Sequence, residues 1–274
     1  MIQVPNAKIN LGLNILRKRS DGYHELETLF YPIGLKDGLE FVENKQNKIN
    51  FSSSGIPLNI GLEANIVVKA YLLLAADHPL PGLDIHLHKV IPFGAGLGGG
   101  SSDAAFLLKE LNEYFELGLT IDQLKGYALK LGADCPFFIE NRPAFATGIG
   151  EKLQSIDFSL KGGNLVLVKP PFGVGTKEAY AGIKPSIPHF PLSDAIHQTQ
   201  ENWQKCIFND FEASVFPDFP EIAGIKSKLV DSGAFYAAMS GSGSSVFGLF
   251  KGESGLKKED FPADYFIWKE LVMF

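Results

Sequence analysis

The chain has 274 residues, 45% of them apolar and 20% charged, with 31 acidic against 25 basic side chains and a net charge of −6. That balance can bury a core without covalent staples, which excludes intrinsic disorder, collagen-like repeats and a coiled coil. The mild acidity argues against a dedicated nucleic-acid binder, because phosphate contact calls for a basic stripe. Two cysteines, Cys135 and Cys206, cannot build a disulfide framework and point to a reducing compartment. Asn6, Lys8 and Asn10 interrupt the opening segment, so it does not read as a secretion signal. The most apolar stretch, 66–76, contains Lys69 and falls short of the about 20 residues that a membrane span needs. These features predict a soluble, cytoplasmic protein without a membrane or nucleic-acid partner, and no obligate protein partner is inferred.

In chain order, the alternation in VPNAKINLGLNIL predicts a strand, followed by a turn at RSDGYHE and a second strand at ETLFYPIGL. From Leu62 to Asp77, residues Ile66, Val67, Ala70, Leu73 and Leu74 recur at helical spacing and predict an amphipathic helix. IHLHKVIPF sets Ile85, Leu87 and Lys89 against His86, His88 and Val90, the pattern of a strand. It runs through a glycine-rich segment into a helix over SSDAAFLLKELNEYF that is expected to start at a serine. Thr120 and Gln123 form a capping box for a helix ending near Gly132. Beyond residue 155, NLVLVKP predicts a strand, and SDAIHQTQENWQ and PEIAGIKSKLVDSG predict helices. The second of these is expected to be capped by Asp218 with Glu221 and stopped by Gly233. AFYAAMSG and SSVFGLF read as two strands joined through SGSGS. Strands and helices mix without strict βαβ alternation, which predicts an α+β fold of two domains, 1–155 and 156–274.

The strongest local signal is PFGAGLGGGSSDAA at 92–105, with glycines at 94, 96, 98, 99 and 100 between a strand and a helix. Glycine admits positive φ and lets a ligand reach main-chain N–H groups, and a helix N-terminus behind the loop favours an anion. The segment therefore reads as a phosphate cradle rather than a plain turn. Gly94, Gly96 and Gly99 also satisfy G-x-G-x-x-G, but the acidic residues in range, Glu113 and Glu116, lie inside a helical pattern, which is the wrong context for a dinucleotide site. The Walker pattern fails because Gly100 stands where its lysine belongs. His86 and His88 share a strand face at a spacing that could hold a metal. No third ligand is evident, so packed or surface histidines are the simpler reading.

Four segments in order, PNAKINLGLNILRKRSDGYHELETLF at 5–30, PFGAGLGGGSSDAA at 92–105, LGADCPFF at 131–138 and AAMSGSGSSVFG at 237–248, resemble the galactokinase, homoserine kinase, mevalonate kinase and phosphomevalonate kinase superfamily. The resemblance runs from Pro5 to about Phe250. It implies an S5-like N-terminal domain and a ferredoxin-like C-terminal domain with the active site between them. ATP and Mg²⁺ are the implied cofactors, with the nucleotide held by Pro92, Phe93, Gly94, Ala95, Gly96, Leu97, Gly98, Gly99, Gly100, Ser101 and Ser102. Mg²⁺ would be chelated mainly by ATP oxygens, and whether Ser101 or Ser102 touches it is left open. The AKINLxL opening and the DGYHEL turn point within the superfamily to transfer onto the 2-hydroxyl of a cytidine-diphosphate methylerythritol, in non-mevalonate isoprenoid synthesis. A homoserine or mevalonate acceptor is the rival substrate, and a nucleotide-binding sensor without turnover is the rival of another class.

By motif position the resemblance makes Lys8 and Asp134 the catalytic pair. Chemistry agrees: an alcohol is a poor nucleophile, a carboxylate can take its proton, and a lysine offsets charge on the transferring group. Asp134 also fits a helix N-cap before Cys135-Pro136-Phe137, and Lys8 could be an ordinary strand lysine. The resemblance gives Asn10 to the substrate's polar end, and Tyr23, His24 and Tyr180 to the base, by stacking and hydrogen bonding. Simple packing is an equal reading for Tyr180. Gly241, Ser242 and Gly243 form a second glycine turn that either closes over phosphates or only turns a hairpin.

Overall fold

The computed structural model describes residues 1–58 and 61–273. In chain order these residues begin with β1 (Ile2–Gln3), β2 (Asn6–Lys18), β3 (His24–Lys36), β4 (Gly38–Glu43), β5 (Asn50–Gly55), α1 (Ile66–Ala75) and β6 (Leu83–Lys89). Next come α2 (Gly99–Tyr114), α3 (Ile121–Leu131), α4 (Cys135–Glu140), β7 (Ala144–Thr147), β8 (Lys152–Ser155), β9 (Asn164–Lys169) and α5 (Thr176–Ala181). The remainder is α6 (Leu192–Ala195), α7 (Gln200–Cys206), α8 (Phe211–Val215), α9 (Pro220–Asp231), β10 (Tyr236–Met239), β11 (Val246–Phe250) and β12 (Phe266–Leu271). The fold is α+β. Among the described residues no helix is long and apolar enough to cross a membrane. Both cysteines are free thiols.

The chain groups into two compact units, each assembled from separate stretches. One takes Met1–Ala7, Leu35–Phe93 and Gly98–Arg142; the other takes Lys8–Gly34, Gly94–Leu97 and Pro143–Phe274. The expected division into 1–155 and 156–274 does not coincide with these units: the second runs through residue 155 and also takes Lys8–Gly34, where Leu13 bridges to Asn209.

In the first unit the sheet order is β1-β4-β6-β5, with β5 parallel to β6 and the other pairs antiparallel. β6 buries alternate residues Leu83, Ile85, Leu87 and Lys89, so a lysine continues an apolar face. Phe41 of β4 meets Tyr114 of α2 edge-on at 5.4 Å. The expected helix from Leu62 starts later: Leu62–Ala64 form a 3₁₀ turn, and Asn65 caps α1 by accepting from Val67 N at 2.8 Å. Such a cap stabilises a helix by about 1 kcal/mol, enough to choose between two start sites. α2 also starts earlier than the serine expected for it, at Gly99 behind Gly98 with φ +68. α3 carries the expected capping box, Thr120 with Gln123.

The second unit holds two sheets, β2-β3-β7-β8 and β10-β11-β9-β12. Val166, Val168, Met239 and Val246 from the second sheet share one core with Ile222, Ile225 and Leu229 of α9. Two helix expectations need correction. SDAIHQTQENWQ is α6 and α7, separated because Thr199 is extended (φ −61, ψ 145) and restarts the helix. Asp218 does not cap α9, because Pro220 at the first helical position moves the cap to Phe219 and leaves Asp218 one residue too early. β12, which pairs with β9 along its whole length, lies in a region without a readable pattern.

Candidate active site

β2 sets the problem that the rest of the site solves. Every residue from Asn6 to Ile15 is buried, on both faces of the strand. Asn6, Lys8 and Asn10 therefore need polar partners, since a buried ammonium without them costs several kcal/mol. Lys8 is 2% exposed. Its Nζ donates to Asn10 Oδ1 at 2.6 Å and to Gly96 O at 3.0 Å, and lies 4.9 Å from the Phe30 ring centroid. Asn10 Nδ2 donates to Thr28 Oγ1 at 2.9 Å, and Thr28 Oγ1 donates to Gly12 O at 2.6 Å. Ser240 Oγ donates to the same Gly96 carbonyl at 2.9 Å and accepts from Asn10 N at 3.3 Å. Lys8, Asn10, Gly96 and Ser240 thus form one network inside the second unit.

Gly94, Gly96 and Gly98 take φ of +57, +73 and +68, alternating with Ala95 and Leu97, whose side chains are buried. Alternation of this kind turns successive N–H groups toward one side and makes a concavity for an anion. The long helix α2 starts directly behind it. Gly96 is required for a second reason: a Cβ there would lie 1.9 Å from Ser240 O. The β10–β11 turn does more than reverse the chain. Ser245 N donates to Ala95 O at 3.2 Å, Ser244 N to Gly94 O at 3.4 Å, and Gly241 packs against Gly96. Of the remaining loop residues, Pro92 is half-buried and Phe93 exposed, while Gly99 is buried and Gly100 half-buried. Ser101 is half-buried, and burial pushes the Cys135 thiol up to about 11. Ser102 is fully buried, and its Oγ has no hydrogen-bond partner among the described residues.

Asp134 precedes α4 with helical dihedrals (φ −80, ψ −18), is half-buried, and makes no capping hydrogen bond with its carboxylate. The cap reading therefore does not account for it. Asp134, Ser101 and Cys135 belong to the first unit, Lys8 and Asn10 to the second. His24 stacks on Tyr180 at 4.8 Å with an 18° interplanar angle, and Tyr180 meets Phe211 edge-on at 4.8 Å. Tyr23 is 61% exposed at the turn, its N–H donating to Asp21 Oδ1 at 3.1 Å. The Arg19 guanidinium, hydrogen-bonded to the same carboxylate, holds Asp21 below the usual carboxylate range. The structure thus brings His24 and Tyr180 together and leaves Tyr23 outside that stack.

Three contributors escape sequence reasoning. Thr28 and Ser240 complete the Lys8 network, and buried Asn209 donates to Met239 O at 2.7 Å and Gly241 O at 2.8 Å, which holds the second glycine turn. Thr28 alone leaves a trace, as a polar residue within an apolar strand. The histidine pair is bonded to serines: Ser52 and Ser54 hydroxyls meet His86 at 2.8 and 2.9 Å, and Ser54 meets His88 at 2.9 Å. Among the described residues no group of three His, Cys, Asp or Glu could hold a metal ion.

Comparison with known proteins identifies the family. A family model described as GHMP kinases N terminal domain matches residues 65–142, and one described as GHMP kinases C terminal matches residues 191–260. A relative from Bacteroides fragilis named 4-diphosphocytidyl-2-C-methyl-D-erythritol kinase is 55% identical over 273 residues, covering 99% of this chain and 100% of the relative. A crystal structure of 4-(cytidine 5'-diphospho)-2C-methyl-D-erythritol kinase superposes with a TM-score of 0.84 at 33% identity, covering 100% of both chains. Homoserine kinase from Cytophaga hutchinsonii shares the fold alone, with a TM-score of 0.71 at 17% identity over 98% of this chain and 95% of that one. With both family models matched in order and a relative this similar along its full length, the chain belongs to the GHMP kinases and, within them, to the 4-diphosphocytidyl-2-C-methyl-D-erythritol kinase family.

Proposed function

We propose that this chain transfers the γ-phosphoryl group of ATP to the 2-hydroxyl of 4-(cytidine 5'-diphospho)-2-C-methyl-D-erythritol, a step of isoprenoid precursor synthesis. The observation that carries the reading is the buried Lys8 ammonium tied to the Gly96 carbonyl of the glycine loop, which fixes a cation at the element suited to phosphate. The hydroxyl oxygen bonds to the γ-phosphorus as the bond to the β,γ-bridging oxygen breaks, and ADP leaves. Asp134 accepts the hydroxyl proton, and Lys8 offsets charge on the transferring group. The loop amides of 94–100 hold the phosphates. Mg²⁺ brought in by ATP would supply charge neutralisation at the phosphate oxygens, and the half-buried Ser101, rather than the sealed Ser102, would be the serine to meet it. Asn10 orients the polar end of the acceptor. One face of the His24 ring is taken by Tyr180, and its nitrogens read the cytosine edge, with Tyr23 at the turn as the stacking surface.

The test is phosphate transfer from ATP across a panel of alcohols. The cytidylyl compound should exceed its uridylyl analogue in kcat/KM by about 100-fold or more, because a mismatched base leaves polar groups unpaired. Comparable values for the two would remove His24 as base reader. Equal turnover of methylerythritol 4-phosphate, homoserine or mevalonate would overturn the assigned acceptor.

A further inference from the structure

Lys89 is the most deeply buried lysine outside the Lys8 network, at 1% exposure, and the mechanism above does not use it. Its Nζ donates to Asp37 Oδ2 and, at 2.8 Å, to Asp103 Oδ2. The second oxygen of Asp37 accepts from two successive backbone amides, Val90 N at 2.6 Å and Ile91 N at 2.8 Å. Those amides end the stretch that feeds the glycine loop, whereas Asp103 sits in the first turns of α2, which leaves it. The same ammonium lies 5.4 Å from the ring centroid of Phe93. Gly99 closes over the cluster, since a Cβ there would stand 2.8 Å from Ile91 Cγ2 and 3.0 Å from Lys89 Nζ. One lysine and two aspartates, all within the first unit, therefore tie the entry of the loop to its exit.

Burying three ionisable groups is a poor route to stability, because apolar residues of similar volume commonly serve as well or better. What such a cluster supplies is direction, since each bond fixes a donor against an acceptor. We propose that Lys89, Asp37 and Asp103 form a positioning clip that sets the separation of the two ends of the phosphate loop and thereby tunes affinity for ATP. The proposal rests on reading the loop as the phosphate cradle. The three side chains are positioning residues, acting through the amides between residues 92 and 99.

Asp103 is the member to test, because its loss leaves Lys89 paired with Asp37 and removes only the link to α2. Asp103→Leu should keep or raise the melting temperature while raising KM for ATP about tenfold, given how steeply catalysis depends on positioning. Its kcat at saturating ATP and its KM for the alcohol should stay near wild type. Asp103→Asn, which keeps an acceptor for Lys89, should restore KM for ATP to near wild type. ATP affinity of Asp103→Leu equal to wild type would overturn the clip, and so would equal losses in the Leu and Asn variants, which would signal shape alone. Should the Leu variant not fold, Asp103→Ser, too short to reach Lys89, carries the same expectation and the same refutation. ATP binding to the wild-type enzyme is measured first by calorimetry. No binding there would overturn the kinase reading together with the clip, whereas wild-type binding with unchanged variants overturns the clip alone.

Discussion

Asp134 and Asp103 are two carboxylates of one unit with opposite surroundings. Asp134 is half-buried and does not cap its helix. Asp134→Asn, which keeps the shape of the side chain and removes the base, should lower kcat by roughly 10²–10⁴-fold, the usual contribution of a general base, with KM for ATP little changed. Steady-state kinetics showing a fall of less than about tenfold would leave the base unassigned. Asp103 is sealed from water. Burial first, and then the neighbouring Asp37 carboxylate against the opposing pull of Lys89, pushes it from 3.8 to about 8. Between those values the folded chain holds a proton that the unfolded chain has released, so this group's stabilising contribution is complete below about pH 4 and is lost as pH rises through 8. Asp103→Asn lacks that loss and should gain in melting temperature relative to wild type between pH 5 and pH 8. A constant difference over that range would mean that Asp103 is ionised throughout. Lys8 is legible in the sequence through the AKINLxL segment that carries the family resemblance, since the strand pattern alone also allows an ordinary lysine there. The partners of Lys89 are not, since Asp37 lies 52 positions away and no local pattern joins them.

At the level of elements, the glycine loop is legible because composition and position agree: five glycines between a strand and a helix have few uses. What each glycine does is not legible. Gly96 meets Ser240, Gly99 makes room for Lys89, and Gly98 carries φ +68, so a side chain at any of the three disturbs packing or backbone as well as phosphate. Gly100 separates these effects. It lies in the first turn of α2, and an added Cβ would make only an ordinary 3.6 Å contact with Ile66 Cγ2. Gly100→Ala should hold or raise the melting temperature, since alanine favours a helix by about 1 kcal/mol over glycine. If phosphate oxygens approach the first-turn amides, KM for ATP should rise about tenfold, as measured by ATP titration. Unchanged affinity would assign Gly100 to helix packing. The second glycine turn is legible as a turn but not as a brace for the first, because the contacts of Ser244 and Ser245 with residues 94 and 95 are backbone bonds that no side-chain pattern announces.

For the whole molecule, the α+β class is legible from element order, and strands with clear alternation appear where expected. β5, of sequence NFSSSG, and β12, of sequence FIWKEL, are set by pairing with β6 and β9 rather than by their own composition. The interleaving of the two units is also a property of pairing, invisible along the chain. It governs when the protein becomes an enzyme. Asn10 N meets Ser240 Oγ across 230 positions, and Gly34 N donates to Glu270 Oε1 at 2.9 Å across 236. On the ribosome, the strand bearing Lys8 emerges long before the turn that braces its network, because Ser240 follows Asn10 by 230 positions. Interrupted translation therefore releases chains that carry Lys8 and the phosphate loop without the Ser240 hydroxyl that holds Gly96 and Asn10 together. Such fragments should be inert toward ATP turnover rather than partly active, and the long-range closure makes folding slow relative to synthesis of any one element.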